Sequence, residues 1–179
     1  MEELKKLKQE DAAMYKTSNL KYLVGSEKIY KHSKIPYSND ICDFLGDLSI
    51  ELNKDKNIKK YPDVKALAFW CRKQNIYNLK KNFSTNEARI GLGLVFHVTP
   101  SNIPTNFAYS LIFGLLTGNS NIVKVPSKKF DQITIICKSI NKILKRNKYK
   151  LVRKMISIVR YKNNDEYTKK ISSICDARL

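Results

Sequence analysis

With 179 residues, 42% of them hydrophobic, the chain has enough apolar material for one domain with a real core, which excludes a disordered tail. Its 34 basic against 16 acidic residues give a net charge of +18. The lysines are nevertheless spread through almost every segment among Asn, Ile and Tyr, as A/T-rich codon usage produces, and no reader motif accompanies them, so specific nucleic-acid binding is not expected. Four cysteines, Cys42, Cys71, Cys137 and Cys175, stand far apart with no CxxC pair and no Cys/His cluster. That spacing argues against zinc or any other metal site and against a disulfide framework. The N-terminus lacks the apolar core of a secretory signal. The longest largely apolar stretch, residues 103–116, falls short of the ~20 residues that cross a bilayer. A reducing, cytoplasmic setting without a membrane span is the expectation.

Residues 1–85 read as a helical, surface-rich N-terminal region. Ser38, Asn39 and Asp40 offer caps for a helix with Ile41, Phe44, Leu45, Leu48 and Leu52 on one face. Pro62 and Asp63 open another, with Val64, Leu67, Ala68 and Cys71 on its apolar side and, after a slip of phase, Ile76 and Leu79. Trp70 is expected at a packing boundary. From residue 86 the pattern alternates. Leu94, Val95, Phe96 and Val98 form a short apolar strand that Pro100 and Pro104 cannot continue. Residues 105–116 are apolar at helical spacing until Gly118 and Asn119 stop them, and Ile122, Val123 and Val125 form a second strand that carries Lys124. A parallel βαβ crossover follows. A helix over residues 131–146, a third strand at 155–159 and a helix at 165–175 continue the alternation, and Asp176 begins a further strand. There is no internal repeat.

In an α/β sheet of this kind, sites form at the carboxyl ends of strands. Gly91-Leu92-Gly93 precedes its strand and lacks a third glycine at the helix start, so the dinucleotide fingerprint is absent. The loop Thr99-Pro100-Ser101-Asn102-Ile103-Pro104 places an amide side chain after the first strand. An asparagine there either donates to an oxyanion, a contribution of about 3 kcal/mol when aimed at developing charge, or, like Ser101, caps the following helix. Lys124 either reaches ribose hydroxyls or phosphate or is an edge lysine with a buried stem. His97, between Phe96 and Val98, reads as a satisfied core histidine, and none of the four cysteines has a neighbouring base that would make it a nucleophile.

PSNIP after the first strand and GNSNIVKVPS around the second resemble the start of the cofactor domain in the aldehyde dehydrogenase superfamily. The longer run GLVFHVTPSNIPTNFAYSLIFGLLTGNSNIVKVPS resembles the LuxC-type acyl-CoA reductases, known for reducing long-chain acyl groups in bacterial luminescence, with the likeness running from about Ala66 to the end. The resemblance implies an α/β fold: a three-layer, Rossmann-like cofactor domain of aldehyde dehydrogenase type over residues 86–179, incomplete at its C-terminus. It implies that Asn102 is the oxyanion donor, that Lys124 contacts the adenosine ribose, and that Thr99, Pro100 and Ser101 line the cofactor groove. Where NAD-preferring relatives carry a glutamate for the ribose 2′-hydroxyl, this chain has Ser127 followed by Lys128 and Lys129. A serine beside lysines suits a 2′-phosphate, so NADPH is the expected cofactor.

The implied reaction starts with attack of a cysteine thiolate on an acyl thioester, which expels coenzyme A and leaves an acyl-enzyme. Hydride transfer and collapse of the thiohemiacetal then release the aldehyde. No residue here matches the family's nucleophilic cysteine or its pyrophosphate-binding turn, so the expectation is an N-terminal fragment, inactive by itself and prone to oligomerise or self-associate through an unpaired sheet edge. Two other classes stay open: a catalytically dead remnant or binding module, and a basic nucleic-acid-binding protein whose lysines would gather on one face.

Overall fold

A computed structural model describes residues 20–83, 87–162 and 165–179. The predicted alternation is present. Strands β1 (Lys21–Val24), β2 (Leu94–Val98), β3 (Ser120–Lys124), β4 (Ile156–Arg160) and β5 (Ala177–Arg178) form one sheet in the order β1-β4-β3-β2-β5. The last four are parallel and β1 is antiparallel to β4. The helices are α1 (Asn39–Asn53), α2 (Pro62–Trp70), α3 (Lys73–Phe83), α4 (Asn106–Leu116), α5 (Asp131–Leu144), the single turn α6 (Lys150–Arg153) and α7 (Asp165–Ile174).

Alternation along the parallel strands sends side chains to two separate cores. Val123, Ile156 and Ile158 join the buried faces of α1, α4 and α5 in the larger one. Leu94, Phe96, Ile122 and Val159 face the other way and pack with Tyr161 against Tyr167, Ile171 and Cys175 of the α7 segment. The molecule is therefore a mixed α/β protein with helices on both faces of its sheet. On α1, Ile41, Phe44, Leu45, Leu48 and Leu52 are all buried, and so are Ile135, Ile136, Ser139, Ile140, Ile143 and Leu144 on α5, as their helical spacing requires.

Three details correct the sequence-based expectation. Residues 21–24, inside the region read as helical, are a strand: KYLV pairs with β4, Lys21 opposite Arg160, because the outer edge of β4 offers hydrogen bonds that four residues alone cannot supply. The helix opened by Pro62 breaks at Cys71 and Arg72 into α2 and α3, so the slip of phase is a change of axis. Ser38 does not cap α1 with its side chain; its hydroxyl donates to Asp40, whose carboxylate also pairs with Lys34. Trp70 does lie at a boundary, edge-on to Phe113 and Tyr109 with ring centroids 5.3 and 6.1 Å away.

The glycines before β2 serve backbone proximity. Residues 34–37 run past the amino ends of the strands, with Lys34 N–H donating to the Gly118 carbonyl, Gly91 N–H to the Lys34 carbonyl and Tyr37 N–H to the Leu116 carbonyl. Gly118 holds a φ of 86° there, and a Cβ on it would strike the Lys34 carbonyl.

Two polar clusters tie the layers together. Asp47 of α1 accepts from Arg146 at 2.6 Å, Tyr149 at 2.7 Å and Lys148 at 2.8 Å, while Lys142 of α5 pairs with Glu51 of α1 at 2.5 Å. Partial burial pushes the Asp47 carboxyl up, but the Lys148 and Tyr149 hydrogen bonds and the Arg146 charge outweigh it and hold the group below the usual range. The Lys142 hydrogen bond does the same for Glu51. Inside, Asn121 donates from Nδ2 to the Asn119 carbonyl at 2.6 Å, which fixes its amide so that Oδ1 faces His97 Nε2 at 2.9 Å. Nε2 must then carry the proton, and Nδ1 accepts from the Ser110 hydroxyl at 2.7 Å. Burial depresses the His97 basicity, opposed by the Asn121 bond, so His97 is a neutral, satisfied core histidine, as expected.

Two predictions follow from these clusters. A Cβ on Gly114 would overlap Asn121 Oδ1 and lie 3.0 Å from His97 Nε2. Gly114→Ala, which in an open helix gains about 1 kcal/mol, is expected to lose about 2 kcal/mol net here by displacing that pair; chemical denaturation checks it. For Asp47 and Glu51, whose folded pKa values are depressed, the stabilisation is full above the ordinary carboxyl range near pH 4 and is lost as pH falls through the lower folded values. Asp47→Asn should lower stability at neutral pH by about 1 kcal/mol and flatten the acid limb of a Tm-against-pH curve.

Candidate functional site

The strand order reverses direction at β2: β3 and β4 lie on one side of it and β5 on the other. In an α/β sheet, ligands bind outside the carboxyl ends of the strands where the order reverses. The loop of residues 99–105 leaves the carboxyl end of β2. Val98 ends β2 opposite Lys124, the last residue of β3. The Thr99 hydroxyl donates to the Lys124 carbonyl at 2.9 Å, so the loop after the first strand is tied to the end of the second.

Beyond Thr99 the chain turns outward. Pro100, Ser101 and Asn102 are exposed and Ile103 is 53% exposed. Neither Ser101 nor Asn102 caps α4; the cap position is the buried Thr105, which makes no side-chain capping bond. The Asn102 amide has no partner among the described residues and is free to donate. No acidic residue sits in the first turn of α4, so the partial positive charge at its amino end is not neutralised locally.

Lys124 is half-buried and its side chain lies on the α7 side of the sheet. Its Nζ is 4.5 Å from the centroid of the Tyr161 ring, and it makes no ion pair among the described residues. The Tyr161 ring is fixed by a 3.0 Å hydrogen bond between its hydroxyl and Thr168 and by edge-on packing against Tyr167. Burial raises the Tyr161 pKa, so the phenol stays neutral under the ammonium. This geometry holds a cation at the strand end without a carboxylate to consume its charge. Ser127, Lys128 and Lys129 follow on the exposed surface. Tyr161 was not singled out from the sequence; its one signal there is an aromatic residue immediately after a strand.

The structure thus brings Thr99 and Lys124 into contact, with Ser127 three residues further along the chain, and leaves Asn102 on the same loop with its amide facing solvent. The cysteines lie elsewhere. Cys42, Cys71 and Cys137 are buried, and burial pushes the thiols of Cys71 and Cys137 up to about 12. Cys175, raised by burial to about 11, precedes Asp176, whose N–H bonds the carbonyl of Leu94 at the start of β2. It is at the amino end of the strands, about 16 Å from their carboxyl ends at ~3.3 Å per residue. Among the described residues no group of His, Cys, Asp or Glu is arranged to hold a metal ion, and no helix is long and apolar enough to cross a membrane. A concavity of about 810 Å³ beside β5, with His97 and Ser110 on its wall, includes neither Asn102 nor Lys124.

The family model for acyl-CoA reductase (LuxC) matches residues 47–179, which include β2 to β5 and every residue of this strand-end cluster. No curated protein and no solved structure matches the chain. On a match that spans well over half of its length, this chain belongs to the LuxC family of acyl-CoA reductases.

Proposed function

We propose that residues 86–179 are the cofactor-binding part of an NADPH-dependent acyl-CoA reductase, an α/β unit of aldehyde dehydrogenase type, to whose sheet β1 adds an edge strand and against which α1 packs. The observation that carries this reading is the unpaired Lys124 ammonium at the carboxyl end of β3, fixed over Tyr161 and joined through Thr99 to the loop that holds Asn102. The residues fit the cofactor. Lys124 offers a point charge for ribose hydroxyls or phosphate, and Ser127 with the exposed Lys128 and Lys129 offers a cationic, carboxylate-free setting for a 2′-phosphate. Bound there, the nicotinamide would supply the hydride that reduces the acyl carbon.

The chain's own residues act on either side of that transfer. Thr99 positions the loop. Asn102 donates to the acyl oxygen as negative charge develops on it, a role worth about 3 kcal/mol in the transition state. The uncharged Tyr161 face keeps the Lys124 charge available. Covalent capture of the acyl group requires a thiolate, and the raised pKa values and positions of the four cysteines make each of them unfit. The nucleophile is therefore assigned to a cysteine outside these 179 residues.

Two outcomes check this. Titrated by quenching of Trp70 fluorescence, NADPH should bind the chain about tenfold or more tightly than NADH, and Lys124→Ala should weaken NADPH binding by about tenfold; equal affinities for the two cofactors would remove the 2′-phosphate argument. Incubated with a long-chain acyl-CoA and NADPH, the chain alone should release neither coenzyme A nor aldehyde. Release abolished by Cys175→Ser would show instead that this thiol is the nucleophile.

A further inference from the structure

Some basic residues that are far apart in sequence converge in space. On the side of α5 that meets α1, Lys142, Arg146 and Lys148 are neutralised by Asp47 and Glu51. Further round, α5 faces β1 across a groove of about 640 Å³, lined by Lys21, Lys129, Lys138, Lys145 and Arg160, with the Glu51-paired Lys142 at its edge and no carboxylate among its lining residues. Lys21, Lys129, Lys138 and Lys145 are exposed and make no ion pair among the described residues. The wall is pinned: Asn141 Nδ2 donates to the Leu23 carbonyl at 2.8 Å, and Arg160 Nε donates to the Pro126 carbonyl at 3.1 Å, leaving its buried Nη2 without a partner. Ile158 and Val159 point to opposite cores, so Arg160 projects to the α5 side, across the sheet from Lys124.

We propose that this groove is a second anion site, for a compact ligand carrying three or more clustered phosphates. Like charges held this close repel one another unless a counter-charge is shared, and a concave wall focuses their field. The volume is that of a small-molecule site. Lysine, a compact point charge with rotatable donors, suits phosphate oxygens in varied geometry. Other polyanions fit less well. Protein interfaces are depleted in lysine and anchored by aromatic residues, which this groove lacks. Single-stranded nucleic acid requires the same missing aromatic faces for stacking. A membrane surface requires an exposed apolar helix face, whereas that of α5 is buried in the core. The phosphates are those of a free oligophosphate or of the 3′-phosphate and diphosphate end of a coenzyme A; the second source rests on the reductase reading, the site itself does not.

Calorimetric titration of the 179-residue chain at physiological salt with tripolyphosphate, coenzyme A, orthophosphate and a short oligodeoxythymidine tests the proposal. Tripolyphosphate should bind and orthophosphate should not. Lys138→Gln/Lys145→Gln should weaken tripolyphosphate about tenfold, as loss of two partly screened charge contacts implies. Lys59→Gln/Lys60→Gln, which removes equal charge from an exposed turn elsewhere, should leave it unchanged. Circular dichroism of both variants separates loss of binding from loss of fold, and Lys21→Gln, on β1, should also weaken tripolyphosphate binding from outside α5. Coenzyme A binding more tightly than tripolyphosphate assigns the phosphates to the coenzyme, and weaker binding assigns them to a free oligophosphate. No tripolyphosphate binding, equal loss in both double variants, or tighter binding of the oligonucleotide would overturn the proposal. NADPH affinity unchanged by Lys138→Gln/Lys145→Gln keeps this result separate from the Lys124 site.

Discussion

Everything functional in this molecule depends on strand β2 being hydrogen-bonded on both edges to parallel strands that leave it in opposite directions. β3 pairs with it along its whole length, Leu94 opposite Ser120 to Val98 opposite Lys124, and β5 pairs on the other edge at Val95 and Phe96. A buried parallel strand must satisfy every backbone group in its ladder, and β2 extends that ladder to Leu179, whose carbonyl accepts from Val98 N–H. With both edges occupied, the chain after Val98 has only one way out, upward over the strand ends. That constraint puts the 99–105 loop, the amino end of α4 and Lys124 side by side.

The position of α4 is set from below by groups with no catalytic duty. Ser110, His97 and Asn121 form a buried hydrogen-bonded chain between helix and sheet, and Gly114 leaves the space that the chain occupies. Buried polar networks cost stability when a partner is lost and fix geometry when every partner is present. Here the network fixes the height of α4 on the sheet, and so the place where its first turn begins. On the other face, Tyr161 fixes the Lys124 side chain in the same indirect way. The candidate site is a surface feature whose precision comes from two buried supports.

Much of this was legible in the residues because the elements from residue 94 onward obey their periods. Short apolar stretches, Leu94 to Phe96, Ile122 with Val123, and Ile158 with Val159, mark β2, β3 and β4, and the stripe on α5 puts Ile136, Ile140, Ile143 and Leu144 on one face. The strand-end residues Thr99, Asn102, Lys124 and Ser127 could be named before their neighbours were known, since each follows a run that must end. β1 was not legible, because four residues become a strand only when the edge of β4 is there to pair with. Nor was the α1–α5 ion cluster or the lysine groove: Asp47 and Arg146 are 99 residues apart, and Lys21 meets Arg160 only through the antiparallel register of β1 and β4. Scattered charge in a sequence says nothing about which charges will converge. Topology decides that.

The proposed cofactor site lies over the carboxyl ends of β2 and β3, where Thr99 meets Lys124. Hydrogen–deuterium exchange of the chain with and without saturating NADPH measures this most directly. The account predicts added protection in residues 99–106, in residues 124–129 and around Tyr161, with α5 and β1 unchanged. Protection confined to α5 and β1, or none at the strand ends, would contradict it.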